Sequence, residues 1–108
     1  MAEMELSSRD DFEKTIKGGI TLVDFNAPWC GPCRAQEEAI QKLKGEYAGR
    51  ADVAEVNIDE NREIAMGLGI QSIPTIILFK EGREIERFVG LQTIETLHRA
   101  LENVLTEG

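Results

Sequence analysis

The amino-acid sequence predicts an α/β fold in which a mixed β-sheet carries helices on both of its faces. Apolar runs typical of strands alternate with amphipathic helical stretches, in the order βαβαβαββα. Strands that alternate with helices need crossover connections within one sheet, and a short turn between the last two strands adds an antiparallel hairpin. The 108 residues leave room for one domain only. We therefore expect a single domain, residues 1–108, with a central mixed five-stranded sheet flanked by four helices.

The first helix is expected to follow the strand that opens this order. Ser7 or Ser8 can cap the helix, and Gly18-Gly19 interrupts it. Residues 20–25 come next and are apolar nearly throughout, which is typical of an interior strand covered on both faces. Asp24 is the exception in this strand, because a carboxylate is costly to bury with its charge.

Two helices and a strand are expected in the middle of the chain. Residues 33–47 show the helical period, with charged side chains on the opposite face. Residues 52–58 alternate as a strand does, and residues 61–68 form a short helix closed by glycines. The apolar stripe of the longer helix consists of Ala39, Ile40, Leu43 and Tyr47.

The C-terminal part of the chain predicts a hairpin and a last helix. Residues 75–79 form an apolar strand, residues 80–83 a turn, and residues 84–89 alternate as the partner strand. Thr93 is expected to cap the helix that follows. The inner side of this helix is expected to carry Ile94, Leu97, Leu101, Val104 and Leu105.

Acidic residues outnumber basic ones in this chain. Twelve Lys and Arg stand against twenty Asp and Glu, which gives a net charge of −8. This balance argues against a nucleic-acid partner, because binding to phosphates depends on basic clusters. The sequence contains no run of about 18 apolar residues, so it predicts no membrane span. The acidic residues 1–5 do not resemble a signal peptide. We therefore expect a cytoplasmic protein.

The two cysteines lie close together, in Trp29-Cys30-Gly31-Pro32-Cys33. A disulfide over so short a loop stabilises little, because such bonds act mainly by closing long loops in the unfolded chain. A zinc site needs about four ligands, and His98 is far along the chain, where it is expected to be a helix-face residue. A dithiol that cycles is typical of a CxxC near a βαβ pattern. An inert thiol pair and half of a metal site are the alternatives.

The sequence resembles the thioredoxin family over about residues 4–105. The order and spacing of several motifs together make this resemblance more specific than a lone CxxC would. It implies the thioredoxin fold and a protein that reduces protein disulfides and is itself reduced by a thioredoxin reductase or a comparable electron donor. The motifs are Leu22-Val23-Asp24-Phe25, Ala27-Pro28-Trp29-Cys30-Gly31-Pro32-Cys33-Arg34, Asn57-Ile58-Asp59, Gly69-Ile70-Gln71-Ser72-Ile73-Pro74-Thr75 and Val89-Gly90.

The resemblance implies that Cys30 is the nucleophile and that Cys33 is the resolving thiol. Cys30 is expected just before a helix, where free N–H groups and the helix dipole favour a thiolate. Cys33, one turn into the helix, is expected to be the more buried of the two and to attack Cys30 in the mixed disulfide. Gly31 and Pro32 set the geometry between them, and this Gly-Pro pair resembles the reducing members of the family.

The resemblance implies further roles for residues around the cysteines. Asp24 matches an aspartate that exchanges a proton with the resolving thiol; a strand-end carboxylate bonded to nearby backbone is the alternative. Pro74 matches a cis-proline that packs against the cysteine pair, with placement at a sheet edge as the alternative. The backbone of Ile73 would pair with bound substrate. The expected apolar docking surface consists of Trp29, Ile73, Val89 and Gly90. For Trp29, a position in the hydrophobic core is the alternative.

Three positions depart from the family's pattern. Asn26 stands where many members have Trp, which removes aromatic packing near the site, and Glu38 stands where they have a helix-kinking Pro, which predicts a straighter second helix. Glu55 stands where they have Lys. A glutamate there is expected to raise the pKa of Asp24 by like charge, so that Asp24 stays protonated to higher pH. Glu37 and Glu38 are further candidates to oppose a thiolate.

Two other functions remain open. A redox-independent binding module would use the same apolar surface to hold a partner, and an oxidant or isomerase of the same fold would differ only in its reduction potential. The main expectation is a monomer that acts on disulfide-containing proteins, without a nucleic-acid or membrane partner. It needs no metal, and no cofactor besides the Cys30–Cys33 disulfide.

Overall fold

The computed structural model describes residues 9–107 of the chain. The helices and strands in this range follow the expected order. They are α1 (Arg9–Lys17), β1 (Ile20–Asn26), α2 (Gly31–Glu46), β2 (Asp52–Asn57), α3 (Arg62–Gly67), β3 (Thr75–Lys80), β4 (Arg83–Val89) and α4 (Ile94–Leu105). The strand expected ahead of the first helix and the capping residues Ser7 and Ser8 lie outside the described residues.

The four described strands form one mixed sheet in the order β2-β1-β3-β4. β1 pairs in parallel with β2, whereas β3 pairs antiparallel with β1 and with β4. The turn between β3 and β4 has positive φ at Glu81 and Gly82, which suits the twist of a tight hairpin. The predicted mixed sheet, with a crossover through α2 and a terminal hairpin, is confirmed; of its five expected strands, four fall within residues 9–107.

Helices cover both faces of the sheet, and each face has its own core. Leu22 of β1 packs with Ile40 of α2 and Leu101 of α4. Val23, the next residue, points to the other face and packs with Phe12 of α1. This alternation follows from the strand geometry and makes both faces of β1 inaccessible to solvent, as the apolar run predicts.

The buried stripe of α2 differs from the predicted one in two positions. Ala39 is only half-buried, and Gln36 is fully buried. Cys33, Gln36, Ile40 and Leu43 are spaced by three and four residues, so they share one face of the helix. The polar side chain of Gln36 therefore belongs to the inner face, where hydrophobicity alone did not place it.

The last helix agrees with its prediction in its cap and in most of its inner face. The Thr93 hydroxyl accepts a hydrogen bond from the Thr96 N–H at 3.2 Å. Ala100 is buried with the expected residues, while Ile94 and Leu105 at the two ends are half-buried. His98 is a helix-face residue as expected; its neighbour there is Glu46, at 3.3 Å. No helix among residues 9–107 combines the length and apolarity needed to cross a membrane.

Candidate active site at the start of helix α2

The two cysteines lie where β1 passes into α2. Cys30 is the N-cap of α2, with extended backbone angles, and Cys33 lies within the first turn. They form a disulfide with their Cα atoms 5.2 Å apart. Pro32 occupies the first turn, where its missing N–H costs nothing because the first N–H groups of a helix have no partner within it. The expected position of Cys30, directly before the helix, is confirmed.

The helix start is polarised towards the sulfur of Cys30. The backbone N–H of Cys33 donates to Cys30 Sγ at 3.1 Å. The N-terminus of a helix also carries the positive end of the helix dipole. Both effects stabilise negative charge on this sulfur when the disulfide is reduced.

The two cysteines are buried to nearly the same extent. Cys30 is 5% exposed and Cys33 is 4% exposed, so Cys33 is the more buried of the two in the disulfide form, as expected, but only by a small margin. Cys30 is buried because the loop before β3 lies over it: the carbonyl oxygen of Ile73 is 3.8 Å from the Cys30 sulfur. Ile73 and Ala27 also pack against the cysteine pair.

The loop before β3 approaches the disulfide through Ile73 and Pro74. The peptide bond between them is cis, as the resemblance implied. The N–H of Gly90 donates to the carbonyl of Pro74 at 2.8 Å, and Val89 pairs with Thr75 in the β3–β4 register. The chain therefore brings the Val89-Gly90 segment beside the proline loop, as the expected docking surface requires.

Several apolar side chains near the site face solvent. Trp29 is 64% exposed, and its indole N–H donates to Asp59 Oδ2 at 2.7 Å. The alternative of a core position for Trp29 is therefore wrong. Val89 is also largely exposed, and so is Leu91, which lies outside the expected docking surface.

Asp24 is buried inside the sheet, with 1% of its surface exposed. It points to the same face as Leu22, towards α2, because side chains alternate along β1. One carboxylate oxygen accepts from the Asn26 side chain at 3.2 Å, and the other has no hydrogen-bond partner among the described residues. The alternative for Asp24, a strand-end carboxylate hydrogen-bonded to nearby backbone, is therefore wrong.

The pKa of Asp24 is raised to about 7. Burial is the largest cause, and the charges of Glu55 and Glu37 raise the pKa further. The Asn26 hydrogen bond and the Lys44 charge act in the opposite direction. This result agrees with the expectation that Asp24 stays protonated to higher pH, with burial contributing more than Glu55.

Asn26 connects the two carboxylates. Its side-chain amide lies 3.2 Å from Asp24 Oδ2 and 3.2 Å from Glu55 Oε1, in position to donate to both. Glu55 also accepts from Gln41 at 3.1 Å and pairs with Lys44 at 3.4 Å. Asn26 was expected only to remove aromatic packing; in the structure it has a polar role instead.

Glu37 faces this group, and Glu38 does not. One carboxylate oxygen each from Asp24, Glu37 and Glu55 lie within 4.8 Å of one another. The pKa of Glu55 is raised to about 7, first by burial and then by its hydrogen bond and charge interaction with Glu37. Glu38 is exposed and pairs with Lys42 at 3.8 Å, so of the two glutamates only Glu37 lies near the cysteines' side of α2.

Gln36 ties α2 to the loop that follows β4. Its side-chain amide donates to the carbonyl of Gln92 at 3.0 Å and accepts from the Gln92 N–H at 2.8 Å. The Gln92 side chain in turn donates to the carbonyl of Gly90 at 3.2 Å. Gln36 thus holds the segment that carries Val89 and Gly90, and sequence reasoning missed it because its polarity suggested an exposed position.

A Gln36→Leu variant is expected to lose about 2 kcal/mol of unfolding free energy. The substitution removes two hydrogen bonds and leaves the backbone groups of Gln92 without their partner. Urea unfolding measures the loss. Gln71→Leu, at an exposed position, is the control, and an equal change in both variants would show that the Gln36 contacts contribute nothing.

Most of the chain matches a known family. A family model described as Thioredoxin covers residues 3–103. A thioredoxin of Staphylococcus epidermidis is 41% identical over 95 residues, which are 88% of this chain and 91% of the relative. A thioredoxin of Staphylococcus aureus is 39% identical over 95 residues, with the same coverage of both chains.

Solved structures show the same likeness. A mutant thioredoxin from Halobacterium salinarum is 28% identical, with a TM-score of 0.90 over 100% of this chain and 98% of that one. The thioredoxin of Malassezia sympodialis is 29% identical, with a TM-score of 0.88 over 97% of this chain and 92% of the other. The likeness therefore extends over the whole fold and is not limited to the cysteine segment.

Proposed function

This chain belongs to the thioredoxin family and is a thiol–disulfide oxidoreductase, and from that premise we propose that it reduces disulfides in other proteins by dithiol–disulfide exchange. The observation that supports dithiol–disulfide exchange most is the helix start at Cys30, where the Cys33 N–H points at the sulfur. A thiolate stabilised there is the attacking species in such an exchange.

The reaction has two steps. The Cys30 thiolate attacks one sulfur of a substrate disulfide, forms a mixed disulfide and releases the other substrate sulfur as a thiolate, which takes a proton from solvent. Cys33 then loses its proton, and its thiolate attacks Cys30 Sγ. This forms the Cys30–Cys33 disulfide and releases the second substrate sulfur as a thiolate, which also takes a proton from solvent, so the substrate gains two electrons and two protons.

Asp24 is the proposed acceptor for the proton of Cys33. A carboxyl group with a pKa of about 7 can take up and release a proton near neutral pH, which is what general base catalysis requires. Burial in β1, facing α2, keeps this group on the side of the sheet that carries Cys33.

Substrate is proposed to dock on the apolar surface beside the disulfide. The backbone of Ile73 would pair with an extended substrate segment, which gives affinity with little dependence on substrate sequence. Apart from the two neighbouring residues and the nearby helix backbone, a Cβ added at Gly31 would meet no atom of residues 9–107 within 4 Å. Packing within the described residues therefore does not require a glycine here, and we propose that the missing side chain lets a substrate chain approach closely. The complete proposed surface is Trp29, Gly31, Pro32, Ile73, Pro74, Val89 and Gly90.

The proposed partners follow from the same reaction. The substrates are disulfide-containing proteins. A thioredoxin reductase or a comparable electron donor would reduce the Cys30–Cys33 disulfide back to the dithiol. We propose that the protein carries electrons in the cytoplasm as a monomer of one domain, residues 1–108, with no nucleic-acid or membrane partner, no metal, and no cofactor besides Cys30–Cys33.

The reduction potential of the Cys30–Cys33 pair is expected to be more negative than the cytosolic glutathione poise. The protein would be equilibrated in dithiol/disulfide buffers and its free thiols counted by alkylation, with Cys33→Ser as a control that cannot form the internal disulfide. For two electrons, about 30 mV corresponds to about 1.4 kcal/mol. The Gly-Pro pair between the cysteines is the reason for expecting a reductant.

Any other result of the reduction-potential measurement would point to another function. A potential well above the glutathione poise would indicate an oxidant or an isomerase, changed by the substitutions at Asn26, Glu38 and Glu55. Failure to form the internal disulfide at any poise would leave the redox-independent binding module as the explanation of the apolar surface.

A further inference from the structure

Three carboxylates meet between the sheet and α2, beside the cysteines. Asp24 and Glu55 lie directly opposite each other in the parallel register of β1 and β2, and Glu37 approaches from α2. Their nearest oxygens lie within 4.8 Å of one another, and the Asn26 amide bridges the first two. The distances make these groups one electrostatic unit, in which the protonation of each depends on the others.

Few positively charged side chains among residues 9–107 lie close to these three carboxylates. Lys44 of α2 lies 3.4 Å from Glu55, and Arg34 lines the neighbouring pocket, with a guanidinium contact to the carbonyl of Pro28 at 3.4 Å. From β3, the residue opposite Asp24 is the apolar Ile76. Three carboxylates so close together, with one lysine in contact, cannot all be ionised at low cost. The group therefore binds protons near neutral pH.

The members of the unit differ in their access to solvent. A pocket of about 290 Å³ opens beside the start of α2, and its walls include Cys33, Glu37 and Glu55. Asp24 is not part of this lining, and 1% of its surface is exposed. Cys33, Glu37 and Glu55 therefore share the wall of one pocket, whereas Asp24 lies behind that wall.

We propose that Glu55, supported by Glu37, is a second proton acceptor for the resolving thiol, and that it exchanges this proton with Asp24 and with solvent through the pocket. The proposal rests on the proposed function and extends it from one aspartate to a carboxylate unit. In the resolving step the proton of Cys33 passes to a carboxylate of the unit, the Cys33 thiolate forms the bond to Cys30 Sγ, and the bond from Cys30 to the substrate sulfur breaks. The substrate thiolate leaves, and the unit later releases its proton to water.

Glu55 also has a plainer explanation, as a fixed charge that pairs with Lys44 and only tunes Asp24. The two explanations differ when Asp24 cannot titrate. The Cys33 thiol titrates in every variant, because only its thiolate attacks. A second acceptor adds to the Asp24→Asn rate a contribution near neutral pH that Glu55→Gln removes, whereas a fixed charge leaves Asp24→Asn and the double variant with the same pH profile.

The test measures the rate of the resolving step against pH by rapid mixing and acid quench, starting from a mixed disulfide on Cys30. The proteins are the wild type, Asp24→Asn, Glu55→Gln, and the double variant, with Glu38→Gln as the matched control on the solvent side of α2. Each single variant is expected to be slower by less than about 10-fold, and the double variant by about 10²-fold or more, since general base catalysis contributes about that much. The control is expected to follow the wild type.

A double variant no slower than Asp24→Asn would overturn the proposal, and so would an Asp24→Asn pH profile that Glu55→Gln leaves unchanged. If the wild type itself does not resolve the mixed disulfide, the proposed function fails, which is a different result. The carboxyl carbon of Glu55, followed by NMR in the oxidised protein, gives a readout that needs no activity. It is expected to titrate near neutral pH, and a titration complete below pH 5 would contradict its role as acceptor.

Discussion

A Cys30→Ser variant is expected to lose the reduction of protein disulfides by about 10³-fold or more, because a hydroxyl cannot replace the thiolate as nucleophile. The sulfur of Cys30 is the one that the Cys33 N–H contacts, and apart from Cys33 the chain has no cysteine that could take over its role. Reduction of a disulfide-bonded test protein, with dithiothreitol as electron donor, measures the loss.

A Cys33→Ser variant is the matched comparison, because it removes the other sulfur by the same substitution. It retains the nucleophile and is expected to stop after the first step, as a mixed disulfide with substrate that a non-reducing gel separates from the free protein. Circular dichroism would show whether both variants keep their fold. If Cys33→Ser accumulates no mixed disulfide while Cys30→Ser does, the assignment of nucleophile and resolving thiol is reversed. If partner binding persists unchanged in Cys30→Ser, the binding-module alternative gains its support.

The elements of this fold could be predicted because they depend on local patterns. The strand Thr75–Lys80 differs from its prediction by one residue at its end, and α4 begins at the residue after Thr93, as expected. Periodicity and capping act over a few residues of sequence and therefore remain visible without a structure. The strand expected before the first helix belongs to residues outside the described range and stays a prediction.

The site was predictable only in part, for the same physical reason. Cys30 and Cys33 are neighbours in the chain, so their spacing already indicates their chemistry. Asp24 and Glu55 meet through the parallel register of β1 and β2, and it was the resemblance that placed them near each other. The bridge that Asn26 makes between them needs the positions of three side chains from two strands, which no local pattern contains.

An Asp24→Asn variant is expected to be more stable than the wild type at pH 8 and to lose much of the wild type's dependence of stability on pH. The pKa of Asp24 is about 7 in the folded protein against 3.8 as its ordinary value. Between these two values the folded state binds more protons than the unfolded state, so the free energy of unfolding falls as pH rises through this window. Over the whole window the loss amounts to roughly 4 kcal/mol. Glu55, whose pKa is also raised to about 7, contributes in the same direction and remains in the variant.

Urea unfolding at pH 4, 6 and 8 measures this effect in both proteins. Asparagine has nearly the shape of aspartate, and any cost of burying its amide does not depend on pH, so it cancels when the difference between pH 4 and pH 8 is compared. Glu38→Gln, which removes an exposed carboxylate, is expected to follow the wild type. An Asp24→Asn protein whose stability falls with pH as steeply as that of the wild type would show that folding does not raise the pKa of Asp24. A carboxylate with an ordinary pKa is a weak base towards a thiol, so Asp24 would then lose its role as acceptor. The burial that makes its ionisation costly is also what brings its pKa into the range where proton transfer is useful.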